Sequence, residues 1–382
     1  MTATATASER LADKRLRAQR AARGRLALLA LGGASMIVGL DAALVRLEVW
    51  APVSSQRAGD VHGLLMALGF LGTLIALERA QALGSRWAYL APGLLGAGAL
   101  ALLTPAPLLL GELLLAEGCA LFVAVYVALW RRTPRPLVAV QVMSAVLALT
   151  GAIMTILAGI PAAVPALIGF IVLTIASERA ELAHLAMGPK ADQAMVGLTV
   201  VLTAAILAAT TLNAPAQFRA GERLLGLVLI ATAATLLWRD IARRQLRMKG
   251  QNRYLGAALS AGYVQLAIAG AVLTASGLLG SSGSYDVVVH GVFLGFAVSM
   301  LMAHAPIILP AVLGRPLPYH PALWVPLVLL HGGLAVRFAG AALGDWRVGG
   351  VVTVVALLAF AGTAVALVTR RDTRQLNTEV HR

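Results

Sequence analysis

The sequence predicts an all-α polytopic membrane protein, with about twelve transmembrane helices in three four-helix units related by a pseudo-threefold axis. Three observations predict it. Apolar stretches of membrane length fill almost the whole chain, Lys and Arg gather in alternate connections, and one motif recurs at a spacing of four helices. Of the 382 residues, 59% are hydrophobic and only 13% charged, and the mean hydropathy is +0.83. A soluble domain carries about 25% charged residues, so an ordinary cytosolic or secreted enzyme is excluded. The single cysteine, Cys119, excludes an internal disulfide, an iron–sulfur cluster and a thiolate zinc site. Any metal must therefore take nitrogen, oxygen or thioether ligands.

Twelve apolar segments follow in order, at 25–48, 59–80, 87–103, 106–129, 136–158, 162–185, 193–212, 222–238, 255–279, 285–312, 319–339 and 348–369. A helix needs about 20 apolar residues to cross the hydrocarbon core, and most of these qualify. Helices 3 and 8 are the shortest. The breaks carry proline, glycine or charge, as in Thr133–Pro134–Arg135–Pro136, Asn213–Ala214–Pro215 and Gly314–Arg315–Pro316. Residues 1–24 hold Arg10, Lys14, Arg15, Arg17, Arg20 and Arg23, too polar for a signal-peptide core. They read as a disordered or interfacial basic tail, followed by a membrane domain at 25–369 and a second tail at 370–382. No soluble domain intervenes, so function must lie inside the bundle or at its rims.

An even number of crossings puts both termini on one side, and the basic residues test that parity. On the terminal side fall 25 of the 31 Lys and Arg residues; Arg46, Arg57, Arg219, Arg223, Arg337 and Arg347 fall on the other. The split supports the helix count and cytoplasmic termini, as expected in a bacterial inner membrane. It also accounts for the net charge of +14 by topology, without a nucleic-acid partner.

The chain repeats itself. Gly69-Phe70-Leu71-Gly72-Thr73-Leu74-Ile75-Ala76-Leu77-Glu78-Arg79-Ala80 in helix 2 matches Gly169-Phe170-Ile171-Val172-Leu173-Thr174-Ile175-Ala176-Ser177-Glu178-Arg179-Ala180 in helix 6 at seven of twelve positions. Helix 10 carries a weaker copy from Gly295-Phe296 to Ala303-His304-Ala305, with His304 in the glutamate's place. Copies four helices apart imply parallel units about an axis along the membrane normal; the plainer reading is chance likeness in Leu/Ala/Gly-rich sequence.

Helices 2, 6 and 10 all run inward, which sets His62 and His290 near the outer surface and Glu78, Glu178, His184 and His304 toward the cytoplasm. His290 and His304 are 14 residues apart, about 21 Å of α-helical rise and about 320° of rotation, so both can face one channel. His331 lies near the middle of helix 11 and His320 at its entrance. An imidazole inside an apolar helix is costly unless paired or liganded. A backbone carbonyl satisfies most such histidines, but several at two matched depths suggest metal or haem ligation.

His62 precedes its Gly-Phe pair by seven residues and His290 by five, an offset of about 200° that suits two ligands facing across one gap. Gly63 and Gly291 would let a flat macrocycle approach, and Arg46, Arg337 and Arg347 lie on the same side for its propionates; packing glycines and snorkelling arginines are the bland alternatives. Toward the cytoplasm, Glu78, Glu178, Glu181, His184 and His304 form a candidate metal cluster, with Glu181 and His184 at a helical i, i+3 spacing. Glu78 and Glu178 may be read equally as arginine partners or as part of a proton path. Glu112 and Glu117 of helix 4 are proton-relay candidates, Glu117 near mid-bilayer.

Twelve helices in three units, with histidines on helices 2 and 10, resemble the catalytic subunit of haem-copper oxidases. The stretch from His290-Gly-Val-Phe-Leu-Gly-Phe to His304-Ala-Pro, then Gly314-Arg315-Pro316, is more similar to the NnrS-like membrane proteins. The resemblance implies haem b held by His62 and His290, with His304 or His331 left for a second haem or for copper. It also implies handling of nitric oxide or another diatomic gas, or electron transfer from a quinone or another donor, as a haem-dependent oxidoreductase if catalytic. The oxidase pattern is incomplete: segment 193–212 has no histidine pair, His184 has no tyrosine partner, and the helix 10 histidines stand 14 residues apart. The competing expectation is a proton-coupled transporter of a small substrate or metal ion that uses the same His and Glu residues. A third is a non-catalytic partner within a respiratory complex.

Overall fold

The computed structural model describes residues 2–53, 55–182, 191–211, 220–278, 281–313 and 317–380. Every element among them is helical. The first four helices are α1 (Thr2–Arg46), α2 (His62–Leu64, Leu65–Gly72 and Thr73–Leu83 in one rod), α3 (Leu90–Ala101) and α4 (Leu108–Arg132). The next four are α5 (Pro136–Ala158), α6 (Ile160–Leu182), α7 (Ala191–Thr211) and α8 (Ala220–Arg239). The last are α9 (Gly250–Ser276), α10 (Ser282–His290, Gly291–Val298 and Ser299–Leu313), α11 (Trp324–Leu343) and α12 (Arg347–Val380).

Among the described residues ten helices are long and apolar enough to cross a membrane; α3 and α7 fall short. The sequence anticipates the shortness of α3 but names helix 8 where the structure has α7. Residues 2–24 are also not a loose tail: they extend α1, because Ala, Leu and Arg are strong helix formers.

Burial ranks the helices. The apolar spans of α2, α6 and α10 are 67%, 83% and 72% buried, against 33% for α4 and α12. These three form the centre, and the rest wrap them. Each carries the Gly-Phe pair, and Phe70, Phe170 and Phe296 are all buried. Added bulk at Gly69 would strike Ala99 of α3 and crowd Ser35 of α1, at Gly169 it would strike Ile206 of α7 and Leu147 of α5, and at Gly295 Gln265 of α9. The motif glycines thus admit neighbouring helices closely, on both sides for α2 and α6 and from α9 for α10. A second glycine device joins the outer helices: Gly111 of α4 sits on the backbone of Gly98 in α3, Gly221 of α8 on Ala209 in α7, and Gly349 of α12 on Gly333 in α11. Close backbone approach through small residues supplies the dispersion contact that apolar burial cannot supply in lipid.

Two features shape the half of the bundle that carries His62 and His290. Residues 65–72 of α2 and 291–298 of α10 are π-helical, whereas the matching stretch of α6 remains α-helical. Gly159, with φ 82° and ψ 172°, is the single residue between α5 and α6; only glycine adopts that backbone without strain. At the far edge Arg347 donates to the carbonyl of Leu47 at 3.1 Å and to Glu48, tying the start of α12 to the end of α1.

Candidate functional site

The three central helices part at the ends that carry His62 and His290, around a cavity of about 800 Å³, within the range of small-molecule and cofactor sites. His62 and Gly63 of α2 and His290 of α10 line it together, with Phe70, Phe293 and Ile160 among its apolar walls. The two imidazoles are oriented the same way. His62 Nδ1 is 2.8 Å from the Gly39 carbonyl oxygen of α1, and His290 Nδ1 is 2.9 Å from the Asp286 carbonyl oxygen. A carbonyl only accepts, so Nδ1 carries the proton and Nε2 keeps its lone pair. Neither Nε2 makes a hydrogen bond among the described residues.

The π-helical turns begin directly after His290 and three residues after His62. They bond i to i+5, and such turns recur at functional sites. They also invalidate rotations reckoned at α-helical pitch: the angle expected between His290 and His304 spans eight π-helical residues, and His304 does not line the cavity.

Asp286, which the sequence reading passed over, stands four residues before His290 and lies 3.2 Å from its Nδ1. The same carboxylate accepts from Arg337 Nε at 2.7 Å and Nη2 at 2.6 Å. Arg337 is 6% exposed and lines the cavity with its charge paired to Asp286, so it does not snorkel. Arg46 lines the cavity from α1, and Asp60 and Glu112 add two carboxylates. Gly291 packs against Ala269 and Gln265 of α9 instead of opening onto the cavity.

The expected inner cluster resolves into arginine pairs. Arg79 Nη2 lies 2.7 Å from Glu78 and 3.1 Å from Glu178. Arg179 Nη1 is 3.1 Å from His304 Nε2, and its Nε and Nη2 meet Asp240 at 2.9 and 2.8 Å. The arginines of the first two motif copies thus each reach the glutamate position of the next copy. Since arginine only donates, His304 Nε2 accepts, while its Nδ1 donates to the Met300 carbonyl at 2.8 Å. No lone pair remains for a metal, which corrects the ligand role expected of His304. Asp240 lies just past α8 and also accepts from Tyr263 and from the Ala242 N–H. Burial acts to raise its carboxyl, yet these bonds, led by Arg179, hold it below the ordinary carboxylate range.

His331 bridges Ser299 at 2.7 Å and Gln265 at 3.4 Å; the Gln265 amide donates to Nδ1, so this ring also has both nitrogens engaged, apart from the cavity. Glu117 is exposed on the outer wall of α4, because it falls on the helix face opposite Gly111, Leu115 and Gly118; of the two relay candidates only Glu112 faces the cavity. His184 lies outside the described residues. Among the described residues no three His, Cys, Asp or Glu side chains gather as a metal cage.

Residues 25–369 match the family described as Domain of unknown function (DUF8744). The chain belongs to the DUF8744 family. No curated protein and no solved structure matches it. The matched stretch takes in every residue of the cavity that His62 and His290 line and both arginine pairs, so the site described above is part of what DUF8744 spans.

Proposed function

We propose that this DUF8744 protein is a multi-pass protein of a bacterial inner membrane, with cytoplasmic termini, that binds haem b between α2 and α10. One observation carries the reading: two imidazoles, each with Nδ1 tied to a backbone carbonyl and Nε2 unbonded, line one largely apolar cavity. A hydrogen-bonded Nδ1 fixes the ring and raises the basicity of the ligating nitrogen. The donor set fits a haem iron. His62 and His290 would hold the group, Arg46 would offer its positive charge to a propionate, and Glu112 and Asp60 stand on the same cavity where a proton could be taken up or released. When bound, the haem supplies electron transfer or the capture of nitric oxide or another diatomic gas. This keeps the likeness to NnrS-like proteins at the level of the haem and drops the copper site.

The architecture belongs to the same proposal. Three central helices bearing one motif, each packed closely against a neighbouring helix through the motif glycine, support three four-helix units about a pseudo-threefold axis. The arginines of the first two copies reach forward to the next copy; the third has Ala305 at that position, so the ring of pairs stays open.

The test is a visible spectrum of the detergent-purified protein supplied with haem. A Soret band with split reduced α and β bands, lost in both His62→Ala and His290→Ala, supports the reading. A folded wild-type protein that stays colourless overturns it and favours a proton-coupled transporter, for which Asp60 and Glu112 on the same cavity are the supporting observation.

A further inference from the structure

A second cavity of about 800 Å³ lies at the opposite end of the chain's first unit, between α1 and the start of α3. It shares no residue with the cavity of His62 and His290. Its composition is divided. Arg20, Arg25 and Arg86 line it, and no acidic residue does so among the described residues. Leu28, Leu90 and Leu94 form an apolar floor, with Gly24 and Gly93 leaving room between the helices. Arg20 and Arg25 fall in the first turns of a span running from Gln19 to Arg46, so the charged part lies at one bilayer surface and the leucines lie deeper. Leu90 is 57% and neighbouring Trp87 40% exposed, an aromatic at the level where headgroups meet acyl chains.

We propose that this groove is a binding site for an anionic phospholipid, with Arg20 and Arg86 on the phosphate and the acyl chains along Leu28, Leu90 and Leu94. A basic pocket between helices on the cytoplasmic side is the recognised chemistry for such headgroups. The leucine floor argues for a lipid over a free phosphate, which has no use for it. The groove also accounts for the helical extension of α1: only as helix do Arg20, Gly24 and Leu28, spaced four residues apart, line one groove beside α3.

The full-length protein in zwitterionic phosphatidylcholine nanodiscs is titrated with a fluorescent phosphatidylglycerol. The Arg20→Gln/Arg86→Gln double variant is expected to weaken binding by about tenfold or more, the effect of removing two basic residues at an anionic surface. Arg243→Gln/Arg244→Gln, elsewhere on the same side, leaves it unchanged. Gly93→Leu keeps the charges but fills the floor, where an added Cβ already lies 3.7 Å from Leu28, and is expected to weaken lipid binding in a protein that still folds. Equal binding by the wild type and the arginine variant overturns the proposal. So does unchanged binding in Gly93→Leu, or full competition by inorganic phosphate, which marks an anion site without a lipid.

Discussion

Asp286 on α10 and Arg337 on α11 face each other through two hydrogen bonds of 2.7 and 2.6 Å, and both are under a tenth exposed. The pair stands directly behind His290, so one carboxylate both neutralises a buried arginine and braces a ring of the cavity. Removing one member of such a pair leaves an uncompensated buried charge, whereas replacing both with apolar groups need not.

Asp286→Asn is therefore expected to lower stability by about 3–5 kcal/mol, read as a fall in the thermal unfolding midpoint in detergent. Asp286→Leu/Arg337→Met should recover most of that loss. Equal loss in the single and double variants would show that the pair acts through shape alone.

Asp240 gives a pH prediction. Its carboxyl is depressed in the folded protein, mainly by Arg179 against the opposing effect of burial, so its stabilisation is fully present above the unfolded value of about 3.9 and drains away as pH falls through the lower folded value. The stability gap between wild type and Asp240→Asn should hold constant from neutral pH down to about 4 and shrink below it. A gap that widens on acidification contradicts the ion pair.

Gly159→Ala tests the one-residue link beside the cavity. An added Cβ meets nothing nearer than 3.8 Å, so any cost comes from the backbone at φ 82°, of order 1–3 kcal/mol. Thermal unfolding of Gly159→Ala beside Gly362→Ala, where an added Cβ meets no neighbour and φ is not positive, separates strain from a general effect of adding a methyl.

On the haem reading, Glu112 and Glu117 part company. Glu112→Gln is expected to change the haem midpoint potential, because it removes a carboxylate that shares the cavity. Glu117→Gln, on the outer wall, should leave it unchanged. Redox titration of both variants decides the point.

Much of this scaffold can be read from residue order. The segments that become α2, α6 and α10 announce themselves by the Gly-Phe motif, although their central position is shown only by their burial. His62 and His290 are also legible, as imidazoles in apolar helices. Asp286 carried a readable signal too, an aspartate four residues before a histidine on one helix face. Its bond to Arg337, 51 residues on, carried none. The misplacement of His304, His331 and Glu117 has one source: depth along a helix is set by counting, but facing is set by neighbours. Counting at α-helical pitch also fails across the π-helical turns, which no local propensity signals.

Hydropathy and repetition, both properties of the chain in one dimension, determined that it is a helical membrane bundle and which of its helices share a motif. Which donor meets which acceptor was decided only by packing. Arg179 chose His304 and Asp240, and His62 chose the carbonyl of Gly39, because hydrogen bonding in a low-dielectric interior depends on distances of about 3 Å between groups far apart in the chain.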